Sequence, residues 1–237
     1  MAFRMIGRNV VLPVVGFTAG FATFAKPWHS VDEDGNIQTL KKPLDSQRVD
    51  VLGNLAELPL YKKLASDPNV KQTNQSEKIP LQHQHYHVGQ GLLYGPAHLE
   101  IDPLVFQDES KKELIAFYHL GNNLGNEKSK VHKGILALLL DEALCYCGFP
   151  SLPHKRGVTA KLDIDFHKDV PKDSTVVLRA RVVENKGRKC VIKGTLESVP
   201  KSSWFSIVRS EPTIFADATC ILVEPKWFKY ASRINTF

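Results

Sequence analysis

The chain has 237 residues, of which 43% are hydrophobic and 24% are charged; this ordinary globular composition excludes a disordered or collagen-like protein. Its length allows one domain or two small ones. The four cysteines, Cys145, Cys147, Cys190 and Cys220, contain no C-x-x-C pair and follow no metal-ligand spacing. They therefore indicate buried or partly buried thiols in a reducing compartment, not a disulfide framework.

The net charge of +6 comes from 31 Lys and Arg against 25 Asp and Glu. Half of this excess lies in residues 1–31, which contain Arg4, Arg8 and Lys26 and no acidic residue. The rest of the chain has too small an excess to indicate nucleic-acid binding, because it contains no run of Lys and Arg with interleaved aromatic residues. We therefore expect no nucleic-acid partner.

Residues 1–31 have the pattern of a targeting segment. Basic residues without acids, followed by an uncharged stretch at 9–25, are typical of mitochondrial import. The alternative is a retained membrane anchor, since 17 uncharged residues approach the lower limit of a membrane-spanning helix. We predict a mitochondrial protein, with association to the inner membrane through residues 9–25 as the second possibility.

Residues 32–90 are predicted to form a polar N-terminal arm with helical segments and a linker. Apolar residues between Val51 and Leu64 have roughly helical spacing, and Pro59 must break or kink that helix. The tract from Gln82 to His87 places His83, His85 and His87 at alternate positions. A metal site there is disfavoured, because no Cys, Asp or Glu lies nearby in the sequence.

Residues 91–230 are predicted to form the main domain, built from about six strands and one long helix. The clearest strand is 158–166, where apolar and polar residues alternate. The other strands are expected at 97–106, 113–120, 175–184, 189–197 and 213–223, with a tight turn at 185–187. Residues 131–148 are rich in Leu and Ala and end at Gly148, which predicts a helix buried on most of its sides.

The order of these elements, with His132-x-Gly134 at the helix start and Asp141 in its middle, resembles the hotdog-fold thioesterase superfamily. The likeness is closest to acyl-CoA thioesterases with a histidine-glycine-glycine motif and covers residues 91–228. It implies an α+β fold in which an antiparallel sheet of about six strands wraps around a long central helix, with a helical N-terminal arm in front. It also implies a homodimer or a dimer of dimers.

The resemblance implies thioester hydrolysis, and the residues of the helix suit this reaction. Gly134 near the helix start leaves backbone N–H groups that could hold a carbonyl oxygen gaining negative charge. Asp141 lies in the most apolar stretch of the chain, where a carboxylate that is neither paired nor solvated is costly. It is the candidate base or nucleophile; alternatively, it caps a neighbouring loop. The resemblance implies that His132 polarises the thioester, although it could instead bond a loop carbonyl.

Further substrate-binding candidates follow from the resemblance and from charge. Asn126 and Thr159 fall at positions where family members have these residues, although strand alternation places Thr159 on the face opposite Val158 and Leu162. Lys133 replaces the first glycine of the motif; it either neutralises a coenzyme A phosphate or narrows the site enough to abolish turnover. Two basic clusters could bind phosphate or simply be solvated hairpin charge: Lys155 with Arg156, and Lys186 with Arg188 and Lys189.

The predicted function is hydrolysis of fatty acyl-CoA to free fatty acid and coenzyme A in mitochondria. The resemblance implies no cofactor and no metal. The alternative is a catalytically inactive hotdog protein that binds acyl-CoA or acts as an interaction module, and Lys133 is the reason to consider it. The sequence leaves the length of the acyl chain open.

Overall fold

A computed structural model describes residues 41–199 and 211–228 of the chain. The predicted targeting segment, residues 1–31, lies outside the described residues. Four α-helices are described: α1 (Val49–Glu57), α2 (Pro59–Ser66), α3 (Leu81–Gln84) and α4 (Lys133–Gly148). Short 3₁₀ turns lie at Leu44–Ser46, Gln75–Lys78, Asn122–Leu124 and Phe149–Ser151, and a π-helical turn lies at Val88–Leu92.

Within the described residues, seven strands form one antiparallel sheet in the order β1-β2-β3-β5-β6-β7-β4. They are β1 (Lys71–Asn74), β2 (Leu104–Asp108), β3 (Glu113–Leu120), β4 (Val158–Phe166), β5 (Ser174–Lys186), β6 (Lys189–Ser198) and β7 (Ile214–Val223). Helix α4 packs against β3, β4, β5, β6 and β7. This arrangement of a sheet wrapped around one helix is the hotdog fold that the sequence indicated.

Three details differ from the expectations. The strand expected at 97–106 begins only at Leu104, because Ala97 has a left-handed φ of 63° and Pro103 lacks the N–H that a ladder needs. The turn expected at 185–187 lies at Gly187 and Arg188, where Gly187 has a φ of 58°. A seventh strand, β1, was not expected, since its sequence Lys-Gln-Thr-Asn has no apolar alternation.

Helix α4 begins at Lys133, with His132 as its N-cap. Its fully buried side chains, which include Leu136, Leu140 and Leu144, lie on the face toward the sheet. Among the described residues, the helical stretch Lys133–Ser151 is long and apolar enough to cross a membrane by length and composition. In the structure this stretch packs against the sheet, and its buried apolar residues belong to the main hydrophobic core.

The arm helices α1 and α2 cover the opposite face of the sheet. Pro59 begins α2 after an extended Leu58, so the helical pattern is broken where proline requires it. Val51 and Leu55 of α1 are buried in a second apolar cluster with Phe106 and Phe117 of the sheet. Both faces of the sheet are therefore covered at the end formed by β2, β3 and β5.

Candidate active site

Asp141 lies on α4 beside the buried face of the helix and is only partly buried. Its Oδ1 accepts a hydrogen bond of 2.9 Å from the Oγ1 of Thr159 on β4. Thr159 itself is exposed. The structure therefore brings two of the predicted site residues together, in a position open to solvent from the side of β4.

A bulge in β4 explains why Thr159 points toward Asp141. Thr159 pairs with Leu222 and Lys161 pairs with Ile221, so Ala160 is an extra residue in the ladder. An extra residue reverses the alternation of side chains. Thr159 consequently shares the inner face with Leu162, and the expectation that it lies opposite Leu162 was wrong. Val158 turns outward and is 50% exposed.

Two thiols lie against Asp141. The Sγ of Cys145 is 4.0 Å from Asp141 Oδ1 and 3.3 Å from Thr159 Oγ1. Cys220, on the inner face of β7, is fully buried beside them. The hydrogen bond between the thiols, followed by burial, raises the pKa of the Cys145 thiol. Because the thiolate is the reactive form of cysteine, this shift disfavours Cys145 as a nucleophile.

His132 caps the start of α4 with its own ring. Its Nδ1 accepts a hydrogen bond of 3.0 Å from the backbone N–H of Gly134. The neutral ring must then carry its proton on Nε2, which makes Nε2–H a donor on an exposed side chain. The Gly134 N–H is not free to hold a substrate oxygen while this bond persists, which differs from the unpaired N–H groups that the sequence suggested.

The described part of the chain contains no hydrogen bond between His132 and Asp141. Nine residues along a helix correspond to a rise of about 13.5 Å and a rotation of about 900°, which leaves them on opposite faces. A single α4 therefore cannot bring both groups to one thioester carbonyl.

The side chain of Lys133 reaches toward β4. Its Nζ lies 5.2 Å from the centre of the Phe166 ring on β4, in a cation–π contact. A cavity of about 380 Å³ beside it is lined by Asn126, Lys128, Lys130, Val131, His132, Lys133 and Asp169. Asn126 shapes this loop, because its Oδ1 accepts hydrogen bonds from the backbone N–H groups of Lys128 and Lys130.

The other predicted basic residues belong to loops near the opposite end of α4. Arg188 donates a hydrogen bond of 2.8 Å to the backbone oxygen of Glu224, and the Glu224 side chain accepts from the backbone N–H of His154. The loop with Lys155 and Arg156 is thus tied to the β5–β6 turn, and Lys189 follows that turn as the first residue of β6. Burial lowers the pKa of Arg156.

Glu142 faces away from Asp141, toward the segment that follows β1. Gln75 Nε2 donates to Glu142 Oε2 at 2.7 Å, the Gly89 N–H also donates to this carboxyl group, and burial raises the pKa of Glu142 to about 7. His87 Nδ1 lies 3.6 Å away, and burial lowers the pKa of His87. A Cβ at residue 89 would lie 2.9 Å from Glu142 Oε2, so a larger residue there would displace this carboxyl group.

Several residues near the candidate site were missed by sequence reasoning. Cys145 follows Asp141 by four residues, and this helical spacing could have identified it. Lys128 and Lys130 flank the helix start in the sequence and could have been included with Lys133. Nothing local in the sequence indicates that Cys220 or Gln75 lies near α4, because these contacts depend on how distant elements pack.

Comparison with known proteins identifies the family. The sequence profile of the thioesterase superfamily matches residues 129–201, a range that includes α4, β4, β5 and β6. A protein of Saccharomyces cerevisiae named MIOREX complex component 3 is 46% identical, over 99% of this chain and 97% of the relative. The chain belongs to the thioesterase superfamily.

Two further relatives extend this comparison. An uncharacterized mitochondrial protein of Candida albicans is 45% identical, over 96% of this chain and 97% of the relative. The acyl-coenzyme A thioesterase THEM4 of Mus musculus is 21% identical, over 93% of this chain and 84% of the relative. The proteins similar to this chain thus include a named thioesterase as well as proteins whose names state no activity.

Proposed function

We propose that this protein is an acyl-CoA thioesterase that hydrolyses fatty acyl-CoA to free fatty acid and coenzyme A in mitochondria. The observation that carries the proposal is the hydrogen bond of 2.9 Å from Thr159 to the Asp141 carboxylate. Asp141 lies on the central helix of a thioesterase-superfamily fold and Thr159 lies on the adjacent strand β4, and the pair is open to solvent on the side of β4. The similarity to a named acyl-CoA thioesterase supports the choice of substrate class.

Asp141 supplies the basic or nucleophilic group. Its carboxylate either removes a proton from an attacking water or attacks the thioester carbonyl itself. In the first case the oxygen of water adds to the carbonyl carbon and the C–S bond breaks. In the second case the C–S bond breaks as an acyl–aspartyl anhydride forms, and water then cleaves the anhydride to free fatty acid and the Asp141 carboxylate. In both cases the coenzyme A thiolate takes up a proton that water supplies. Thr159 donates its hydroxyl proton to Asp141 Oδ1 and so fixes the orientation of the carboxylate, which makes it a positioning residue.

The second half of the site would come from another copy of the chain. His132 Nε2–H is a donor suited to a carbonyl oxygen, but its own α4 directs it away from Asp141. Among the described strands, β4 lies at one edge of the sheet, and its residues 158–161 are exposed, so this edge could pair with a second copy. A symmetric dimer with antiparallel α4 helices would bring His132 and Gly134 of one copy beside Asp141 of the other.

Basic residues at both ends of α4 suit the phosphates of coenzyme A. Lys128, Lys130 and Lys133 surround the cavity at the helix start, while Lys155, Arg156, Arg188 and Lys189 lie in loops and a strand start near the other end. In an antiparallel dimer, the first group of one copy would approach the second group of its partner. The combined positive charge of these residues would attract the three phosphate groups of the substrate.

The proposed location is the mitochondrion. A relative that is 45% identical is named as mitochondrial, and residues 1–31 of this chain are basic and free of acids, as import segments are. Fusion of residues 1–31 to a soluble reporter should send it to mitochondria. Carbonate extraction of the full chain separates an inner-membrane anchor at residues 9–25 from a peripheral or soluble protein.

The test of activity is a screen of the full chain over acyl-CoA chain lengths, with release of free thiol as the readout. We expect Asp141→Asn to lose about 100-fold or more in kcat while remaining folded. Asp163→Asn is the matched control, because Asp163 is an exposed carboxylate on β4, and it should keep its activity. Acyl-CoA binding without any thiol release would contradict the proposal and favour the inactive binding protein.

A further inference from the structure

The cysteines beside Asp141 form a cluster whose donor atoms converge. Asp141 and Cys145 are one helical turn apart on α4, and Cys220 projects from β7 onto the same point. One carboxylate oxygen and the two sulfur atoms all lie within 4.8 Å of one another. The thioesterase chemistry proposed above uses Asp141 but needs neither thiol, so the convergence of the two sulfurs has no role in it.

We propose that Asp141, Cys145 and Cys220 bind a thiophilic divalent cation such as Zn²⁺, and that this cation blocks the candidate active site. Zinc takes four tetrahedral ligands, with Zn–S distances of about 2.3 Å and Zn–O distances of about 2.0–2.2 Å. Tetrahedral ligands at these distances are about 3.5–3.8 Å apart. The observed 4.0 Å between Asp141 Oδ1 and Cys145 Sγ therefore requires only small side-chain rotations.

The donor types and the burial of the cluster favour this class of ion. Two thiolates with one carboxylate suit Zn²⁺ and disfavour Mg²⁺ and Ca²⁺, which prefer ligands that are all oxygen. Cys220 is fully buried and lies on the interior side of the site. Thr159 is exposed and lies on the side from which an ion, and water as a fourth ligand, can enter. Binding releases the two thiol protons to solvent as two Zn–S bonds form.

A second cluster with convergent donor atoms differs from this one in its charge. Glu100, His119 and Asp173 also place donor atoms within 4.8 Å of one another. There, the Arg48 guanidinium lies 3.1 Å from Glu100 and 3.7 Å from Asp173, so a cation of the chain itself already neutralises the carboxylates. Beside Asp141, Cys145 and Cys220, no Lys or Arg forms an ion pair with Asp141 in the described residues.

The expected consequence is inhibition. A bound cation would occupy the Asp141 carboxylate and prevent it from acting as base or nucleophile. This consequence rests on the proposed thioesterase function, but the binding of the cation does not. Cation binding and the proposed thioesterase function can therefore be tested separately.

Cobalt is the probe for binding, because Co²⁺ bound to thiolates in a tetrahedral site absorbs light that free Co²⁺ does not. Reduced full-length protein, stripped of metal with chelator, should bind one equivalent of Co²⁺ with thiolate charge-transfer absorption, and Zn²⁺ should displace it. Cys145→Ser and Cys220→Ser should each lose this absorption and weaken Zn²⁺ binding at least about 100-fold. Cys147→Ser is the matched control and should bind normally, because the Cys147 thiol faces the backbone oxygen of Lys112 instead.

The activity measurement is made on the same variants. Zn²⁺ should inhibit thiol release by the unmodified chain and by Cys147→Ser, while Cys145→Ser should hydrolyse acyl-CoA and resist Zn²⁺. Absence of thiolate–cobalt absorption in the unmodified chain, or an equal loss in Cys147→Ser, would overturn the proposed site. If cobalt binds as expected but no acyl-CoA is hydrolysed, the site stands and the proposed function fails. Should Cys220→Ser not fold, Cys145→Ser still decides, since Cys145 is only partly buried.

Discussion

The orientation of Thr159 depends on the bulge in β4, and its hydroxyl donates a hydrogen bond to Asp141. We expect Thr159→Val to lower kcat about tenfold with little change in KM, because the loss affects orientation and not substrate binding. Thr159→Ser keeps the hydroxyl and should restore most of kcat. Steady-state kinetics on the favoured acyl-CoA separates these cases, and equal losses in both variants would indicate a packing role.

Glu142 gives the stability of the protein a specific dependence on pH. Its pKa of about 7 lies above the unfolded value, so the folded state binds a proton that the unfolded state has lost. The Glu142 contribution is fully present below about pH 4.5 and is lost as pH rises through about 7, a difference of up to about 3 kcal/mol. The contribution of His87 to stability has the opposite pH dependence, because burial lowers the pKa of His87.

The measurement is the free energy of unfolding of the unmodified chain and of Glu142→Gln, with chelator present, between pH 5 and pH 8. The advantage of the unmodified chain over Glu142→Gln should shrink as pH rises through this range. His87 is present in both proteins, so subtraction reduces its contribution. An advantage that grows with pH would mean that Glu142 is ionised and stabilising in the folded state.

At the scale of elements, the bulge in β4 predicts different outcomes for two single-residue deletions in this strand. Removing Ala160 leaves the pairs of Thr159 with Leu222 and Lys161 with Ile221 intact, so both residues keep their faces. Removing Asp163 reverses every side chain on one side of the deletion. We expect the first variant to keep its fold and most of its turnover, and the second to lose both, as thermal melting and thiol release would report.

Helix α1 contributes to stability through its contacts with the outer face of the sheet. Leu55 is 3% exposed and packs with Phe106 and Phe117, so Leu55→Ala should cost about 2–5 kcal/mol. Leu44→Ala is the control, since Leu44 is 67% exposed and should change stability little. Chemical denaturation measures both; equal midpoints would mean that α1 is not part of the cooperative core.

At the scale of the whole molecule, the arrangement of α4 makes a specific prediction about subunits. If His132 and Asp141 of different copies form one site, His132→Ala and Asp141→Asn chains refolded together should form mixed dimers. Each mixed dimer contains one doubly altered site and one intact site. With equal inputs and random pairing, about a quarter of the unmodified activity should return. A mixture that exchanges subunits and stays inactive would exclude the composite site.

Much of this fold could be predicted from local patterns. The Leu- and Ala-rich run that ends at Gly148 predicted α4 to within two residues, and the limits of β3 and β4 were predicted at Glu113–Leu120 and Val158–Phe166. The break at Pro59 followed from the chemistry of proline. These features are local, because helix and strand periods and chain breakers act over a few residues, and a sequence records them directly.

Only the tertiary structure decided which side chains meet. The facing of Thr159 depends on a pairing with β7 that inserts Ala160 as a bulge, and Cys220 reaches Asp141 from a strand near the other end of the sequence. Gln75 and Glu142 are 67 positions apart and still form a hydrogen bond. Such contacts are determined by the packing of a whole sheet around one helix, and no local period in the sequence encodes them.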